Sequence, residues 1–84
     1  MKGKIENEIC HAIFELFGIK ENVIKLNISK SLLGKPFYLQ AEELLYLFFY
    51  LEDKYNLRLE KRNLLDYKFS SIQNITKLIE EYSL

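Results

Sequence analysis

Apolar residues recur at helical spacing near the start of the chain, at Ile5, Ile9, Ile13, Leu16 and Phe17, with Glu6, Glu8 and Glu15 off that line. Such a stripe predicts an amphipathic helix, and Gly18 supplies a natural stop after it. The following stretch, Ile19 to Leu39, contains Gly34 and Pro36, which would break any helix running across them. It is also studded with apolar residues (Val23, Ile24, Leu26, Ile28, Leu32, Leu33 and Phe37), so it reads as a long loop laid over a core. A second helix is expected from Gln40 to about Asn56, with Leu44, Leu47, Leu51 and Tyr55 on its buried side. A short turn or helix, Glu60 to Asp66, presents Leu64 and Leu65. For the last helix, Ser70 and Gln73 fit a capping box, and Ile72, Ile75, Ile79 and Tyr82 form the stripe. No strand alternation of useful length and no internal repeat is present. The pattern is that of one all-α domain covering residues 1–84.

The second helix departs from ordinary amphipathicity. From Leu44 to Leu51 it is apolar around its full circumference, apart from two tyrosine hydroxyls. A helix in a small bundle buries one stripe. Leu44, Leu47, Phe48 and Leu51 satisfy that requirement, which turns Leu45, Tyr46, Phe49 and Tyr50 at least partly outward. Glu42, Glu43, Glu52 and Asp53 flank this aromatic centre. An apolar cluster rimmed by charge is the pattern of a protein-binding patch. The competing reading is that the long loop covers it.

Composition narrows the alternatives. Eighty-four residues suffice for one domain, and a 49% hydrophobic content with six Phe and six Tyr is too high for a disordered chain. Twelve basic and twelve acidic residues cancel, so no overall field favours nucleic acid or an anionic membrane. One cysteine allows no internal disulfide, and one Cys with one His cannot fill a tetrahedral metal site. Glu6, Asn7 and Glu8 follow the basic start where a secretory signal needs an apolar run. A cytoplasmic location is therefore expected, and the two glycosylation-type triplets at Asn27 and Asn74 are read as coincidence.

The stretch from Leu32 to Leu47 resembles a known pattern. Leu32-Leu33-Gly34, a short gap, Leu39, then Gln40-Ala41-Glu42 opening a helix is similar to the Leu-Phe-Gly … Asp-Ser-Leu of acyl carrier proteins. Phe17-Gly18-Ile19, Leu51-Glu52-Asp53-Lys54-Tyr55-Asn56-Leu57-Arg58-Leu59 and Phe69-Ser70-Ser71-Ile72-Gln73 resemble other segments of that family in the same order. The resemblance implies an acyl-carrier-like four-helix bundle with a long loop between the first and second helices. It also implies where the phosphopantetheine arm would attach. That position holds Ala41, and the preceding acid is replaced by Gln40. Alanine offers no oxygen for the linkage, so no phosphopantetheine and no other cofactor is expected. Within the family, the chain resembles the acyl-carrier-related proteins of bacterial peptide maturation systems, which lack the attachment serine.

Other constellations carry little chemistry. Cys10 and His11 are adjacent on a helix and project about 100° apart, so they do not form a nucleophile–base pair; a buried thiol and a solvent-facing imidazole are expected. Glu42 and Glu43 suit a helix N-terminus rather than paired catalysis. Lys20, Lys25, Lys30 and Lys35 dot the long loop, without the arginine and stacking aromatics that nucleic acid would require. The resulting expectation is a non-catalytic adaptor that binds biosynthetic or maturation proteins through Leu45, Phe49, Tyr46, Tyr50, Glu42, Glu43, Glu52 and Asp53. A homodimer through the second helix is also admitted, with no nucleic acid or membrane partner. Two other readings stand beside it: a working carrier modified at another serine, and a bundle that binds acyl chains.

Overall fold

The computed structural model describes residues 2–60 and 69–83, and these fold into four helices with no strand among them: α1 (Lys2–Phe17), α2 (Glu21–Leu26), α3 (Ala41–Tyr55) and α4 (Ile72–Ser83). The expected second helix is α3, within one residue at each end. α1 is the organising element and packs against each of the other three. Its stripe behaves as the spacing requires: Ile9 and Ile13 are fully buried, while Ile5, Leu16 and Phe17 pack partly buried around them. Gly18 ends α1 at φ +73°, a left-handed conformation that costs glycine nothing, and its N–H donates to the Phe14 carbonyl at 2.9 Å.

The connection from Ile19 to Leu39 differs from the expected loop. It contains α2, six residues with Glu21 in the first turn and Ile24 buried. Asn27 closes that helix, its side-chain amide donating to the Val23 carbonyl at 2.7 Å. A single turn and a half is too short for hydrophobic periodicity to register. Beyond it the chain is pinned to the start of α4. The Leu32 N–H donates to the Ser70 carbonyl at 2.7 Å, and the Gln73 N–H donates to the Ile28 carbonyl at 3.0 Å. The second bond satisfies one of the helix's four free amides, which would otherwise need a cap or water. Leu32, Phe37 and Leu39 are buried, as a chain laid over the core should be, but Leu26 and Leu33 point to solvent, contrary to expectation.

Both ends of α3 are locally specified. Glu43 reaches back and accepts from the Gln40 N–H at 2.9 Å, a first-turn carboxylate that also suits the positive end of the helix dipole. Asn56 stops the helix in the left-handed region at φ 53°, which asparagine tolerates better than most residues. At α4 the cap is shifted by one residue from the expected pair. Ser71, rather than Ser70, accepts from the Asn74 N–H at 3.2 Å, and Gln73 faces solvent. The stripe of α4 is Ile72, Ile75, Leu78 and Ile79, all buried, whereas Tyr82 in the last turn remains exposed. Phe69, just before the helix, fills the core beside Phe48 at 5.4 Å between ring centroids. The predicted element Glu60 to Asp66 falls, apart from Glu60, outside the described residues.

Candidate functional site: the outward face of α3

The run Leu44 to Leu51 splits between two sides of one helix. Leu44, Leu47, Phe48 and Leu51 are buried. At about 100° per residue, Glu42, Leu45, Tyr46, Phe49 and Asp53 share an arc of about 100° on the opposite side. Leu45 is 39% exposed, Tyr46 58% and Phe49 45%, so the connection leaves them uncovered. Glu42 and Asp53 are exposed too. The face is therefore acidic at each end and apolar in the middle, with no basic side chain within the arc. Phe49 rests its ring edge-to-face on buried Phe48 at 5.6 Å, which holds an exposed aromatic against the core.

Three of the eight residues expected in the patch do other work. Glu43 is used in the α3 cap. Glu52 accepts from the Leu59 N–H at 2.9 Å and ties down the chain leaving α3. Tyr50 is half-buried and packs against the core. The outward face thus narrows to Glu42, Leu45, Tyr46, Phe49 and Asp53. Ala41 is the first residue of α3 and is exposed, with Gln40 at the N-cap, so a side chain at position 41 projects from the rim of this face.

At the other end of α3, Lys54, Tyr55, Lys4, Ile5 and Glu8 line a cleft of about 390 Å³. The Tyr55 hydroxyl donates to the Glu8 carboxylate across it and clasps α3 to α1. Burial and the adjacent Glu8 push that hydroxyl well above the ordinary tyrosine range. Lys4 and Lys54 stand exposed on the rim of the cleft.

His11 is solvent-facing as expected, between Glu15 at 3.1 Å and Glu21 of α2 at 3.7 Å. Cys10 is buried, and its thiol is pushed up to about 11 by burial and then by the Glu6 carboxylate. A buried thiol of that kind is a poor nucleophile at neutral pH, and alkylation by iodoacetamide at pH 8 is expected only after unfolding. The same shift has a stability consequence. In the unfolded chain the thiol ionises near its ordinary 9.0, while the folded chain holds the proton to about 11. The Cys10 contribution to stability should therefore be fully present below pH 9 and be lost as pH rises through about 11. Cys10→Ala should flatten that part of a denaturation-versus-pH curve; an unchanged slope would show that other groups control it.

Ser71 is buried in its cap and Ser31 accepts from the Leu33 N–H at 3.2 Å. The Asn74 glycosylation triplet lies within α4 with Thr76 buried and bonded to the Ile72 carbonyl. Among the described residues no group of three or more His, Cys, Asp or Glu side chains could hold a metal ion, and no helix is long and apolar enough to cross a membrane. The chain matches no protein-family model, no curated protein and no solved structure. What the fold and site define is an all-helical domain with an acid-rimmed aromatic face.

Proposed function

We propose that the protein is a non-catalytic binding module on an acyl-carrier-like scaffold, acting as an adaptor for a basic protein partner in a peptide maturation or related biosynthetic system. The observation that carries the reading is the outward face of α3. Leu45, Tyr46 and Phe49 stay exposed on a helix whose other side already fills the core, and Glu42 and Asp53 bracket them. Large apolar side chains at the centre of a patch supply most of an interface's energy, and the acids at each end select and orient a positively charged surface. Ala41 at the opening of α3 agrees with the loss of the covalent role, because a carrier without its attachment oxygen retains only its docking surface. Support for the scaffold comes from the ordered resemblance of four separate segments and from the all-helical fold.

Two measurements test this reading. Incubation with coenzyme A and a broad-specificity phosphopantetheinyl transferase should leave the intact mass unchanged; a gain of one phosphopantetheine would restore the working-carrier reading. Capture of the partner by the wild-type chain, compared with a Phe49→Glu chain, tests the docking face itself. Binding that survives this change would move the interface elsewhere.

A further inference from the structure

Charge in this neutral chain is segregated along its length. From Lys20 to Gln40 there are four lysines and one glutamate, a surplus of three positive charges. From Ala41 to Tyr55 there are four acids and one lysine, a surplus of three negative charges. The single acid of the basic segment, Glu21, faces His11 at 3.7 Å, whereas Lys20, Lys25, Lys30 and Lys35 are all exposed. The basic segment also carries the two most exposed large apolar side chains of the described residues, Leu26 at 83% and Tyr38 at 62%, together with Leu33 at 52%. Lys25 adjoins Leu26, and Lys30 and Lys35 bracket Leu33. The backbone bond from the Leu39 N–H to the Leu32 carbonyl, 2.9 Å, brings the turn carrying Leu33 and Tyr38 to the N-terminal end of α3. The molecule therefore presents an acid-rimmed apolar face on α3 and, along the connection, exposed lysines interspersed with exposed apolar side chains.

We infer that these two surfaces fit each other between molecules, so that the α3 face of one copy seats the basic connection of a second copy. The inference rests on α3 being a docking face and names a second copy as one of its occupants. Pairing α3 with α3 is disfavoured by the same charges. An antiparallel arrangement sets Glu42 against Asp53 of the other copy, and a parallel one sets like residue against like. The contact is thus heterologous: the patch given and the patch received differ, and each copy has both. A copy seated on α3 also excludes the basic partner, so adaptor binding and self-association compete for Leu45 and Phe49.

Sedimentation equilibrium on the full chain tests this, with circular dichroism as the check on folding. Wild type should associate with rising concentration, and less so at high salt, since exposed charge pairs are screened. Phe49→Glu removes the receiving face only. The triple variant Lys25→Glu, Lys30→Glu, Lys35→Glu removes the donated face only, at solvent-exposed positions. Each variant alone should be monomeric, and their equimolar mixture should form a one-to-one pair that grows no further. Wild type that stays monomeric to about 1 mM overturns the inference, as does a mixture that never pairs. Undiminished self-association of the triple variant also overturns it, by assigning the contact to α3 alone. If wild type is monomeric yet co-sediments with phosphatidylserine-rich vesicles, and the triple variant does not, the basic surface serves a membrane and a second copy is excluded. None of these failures touches the docking reading, which falls only if partner capture is indifferent to Phe49.

Discussion

Phe48→Ala is expected to lower the unfolding free energy by about 3–5 kcal/mol, while Phe49→Ala, one residue on, should cost about 1 kcal/mol. Phe48 is fully buried and contacts two aromatic rings edge-to-face, Phe69 at 5.4 Å and Phe49 at 5.6 Å. Removing it opens a cavity where α3 meets the chain entering α4. The walls cannot collapse freely, because the Leu32–Ser70 and Ile28–Gln73 backbone bonds hold the entry to α4 in place. A chain of this size has a total stability of roughly 4–13 kcal/mol, so this one truncation would consume much of it. Phe49 loses only a partly exposed ring and one aromatic pair, worth about 0.5–1.5 kcal/mol. Denaturant melts followed by helical circular dichroism give both values. Equal costs would mean that Phe49 belongs to the core and that the outward face of α3 is misassigned.

This contrast between neighbours was legible in the sequence, because an uninterrupted apolar run on a helix exceeds what a small core can take. Once Leu44, Leu47 and Leu51 were assigned inward, Phe48 followed them and Leu45, Tyr46 and Phe49 had to face out. The features that were not legible are those set by contacts distant in sequence or by single atoms. α2 depends on one buried isoleucine and an asparagine cap, too little for a periodic signal. The cap of α4 moved from Ser70 to Ser71 because the Gln73 N–H is taken by the Ile28 carbonyl, forty-five residues earlier. Glu43 and Glu52 looked like rim charges, yet each accepts a backbone N–H that only the folded chain brings to it. Leu26 and Leu33 looked like core residues for the opposite reason. In a segment without regular periodicity, nothing in the sequence separates an apolar residue beneath the loop from one on top of it.

Phe49→Glu should reduce partner affinity at least about 100-fold, the scale of a central apolar hot spot, while leaving helical content and melting temperature close to wild type. The substitution replaces an aromatic at the centre of the patch with a carboxylate that must be desolvated on binding, so it removes attraction and adds a penalty. A basic partner offsets part of that penalty by pairing with the new charge, and Phe49→Ala therefore serves as the neutral control. The folded chain should tolerate the glutamate. The position is 45% exposed, glutamate is a good helix former, and repulsion from Asp53 four residues later costs only tenths of a kcal/mol. Loss of the edge contact with Phe48 adds about 1 kcal/mol, a small shift against the binding effect. Asp53→Lys supplies the electrostatic counterpart: it should slow association and weaken its dependence on salt, with little change in the dissociation rate. Lost binding with an intact melting curve for Phe49→Glu, together with an association-rate effect for Asp53→Lys, assigns the apolar centre to affinity and the acidic rim to steering. A Phe49→Glu chain that unfolds instead would place that ring in the core and remove the docking face from α3.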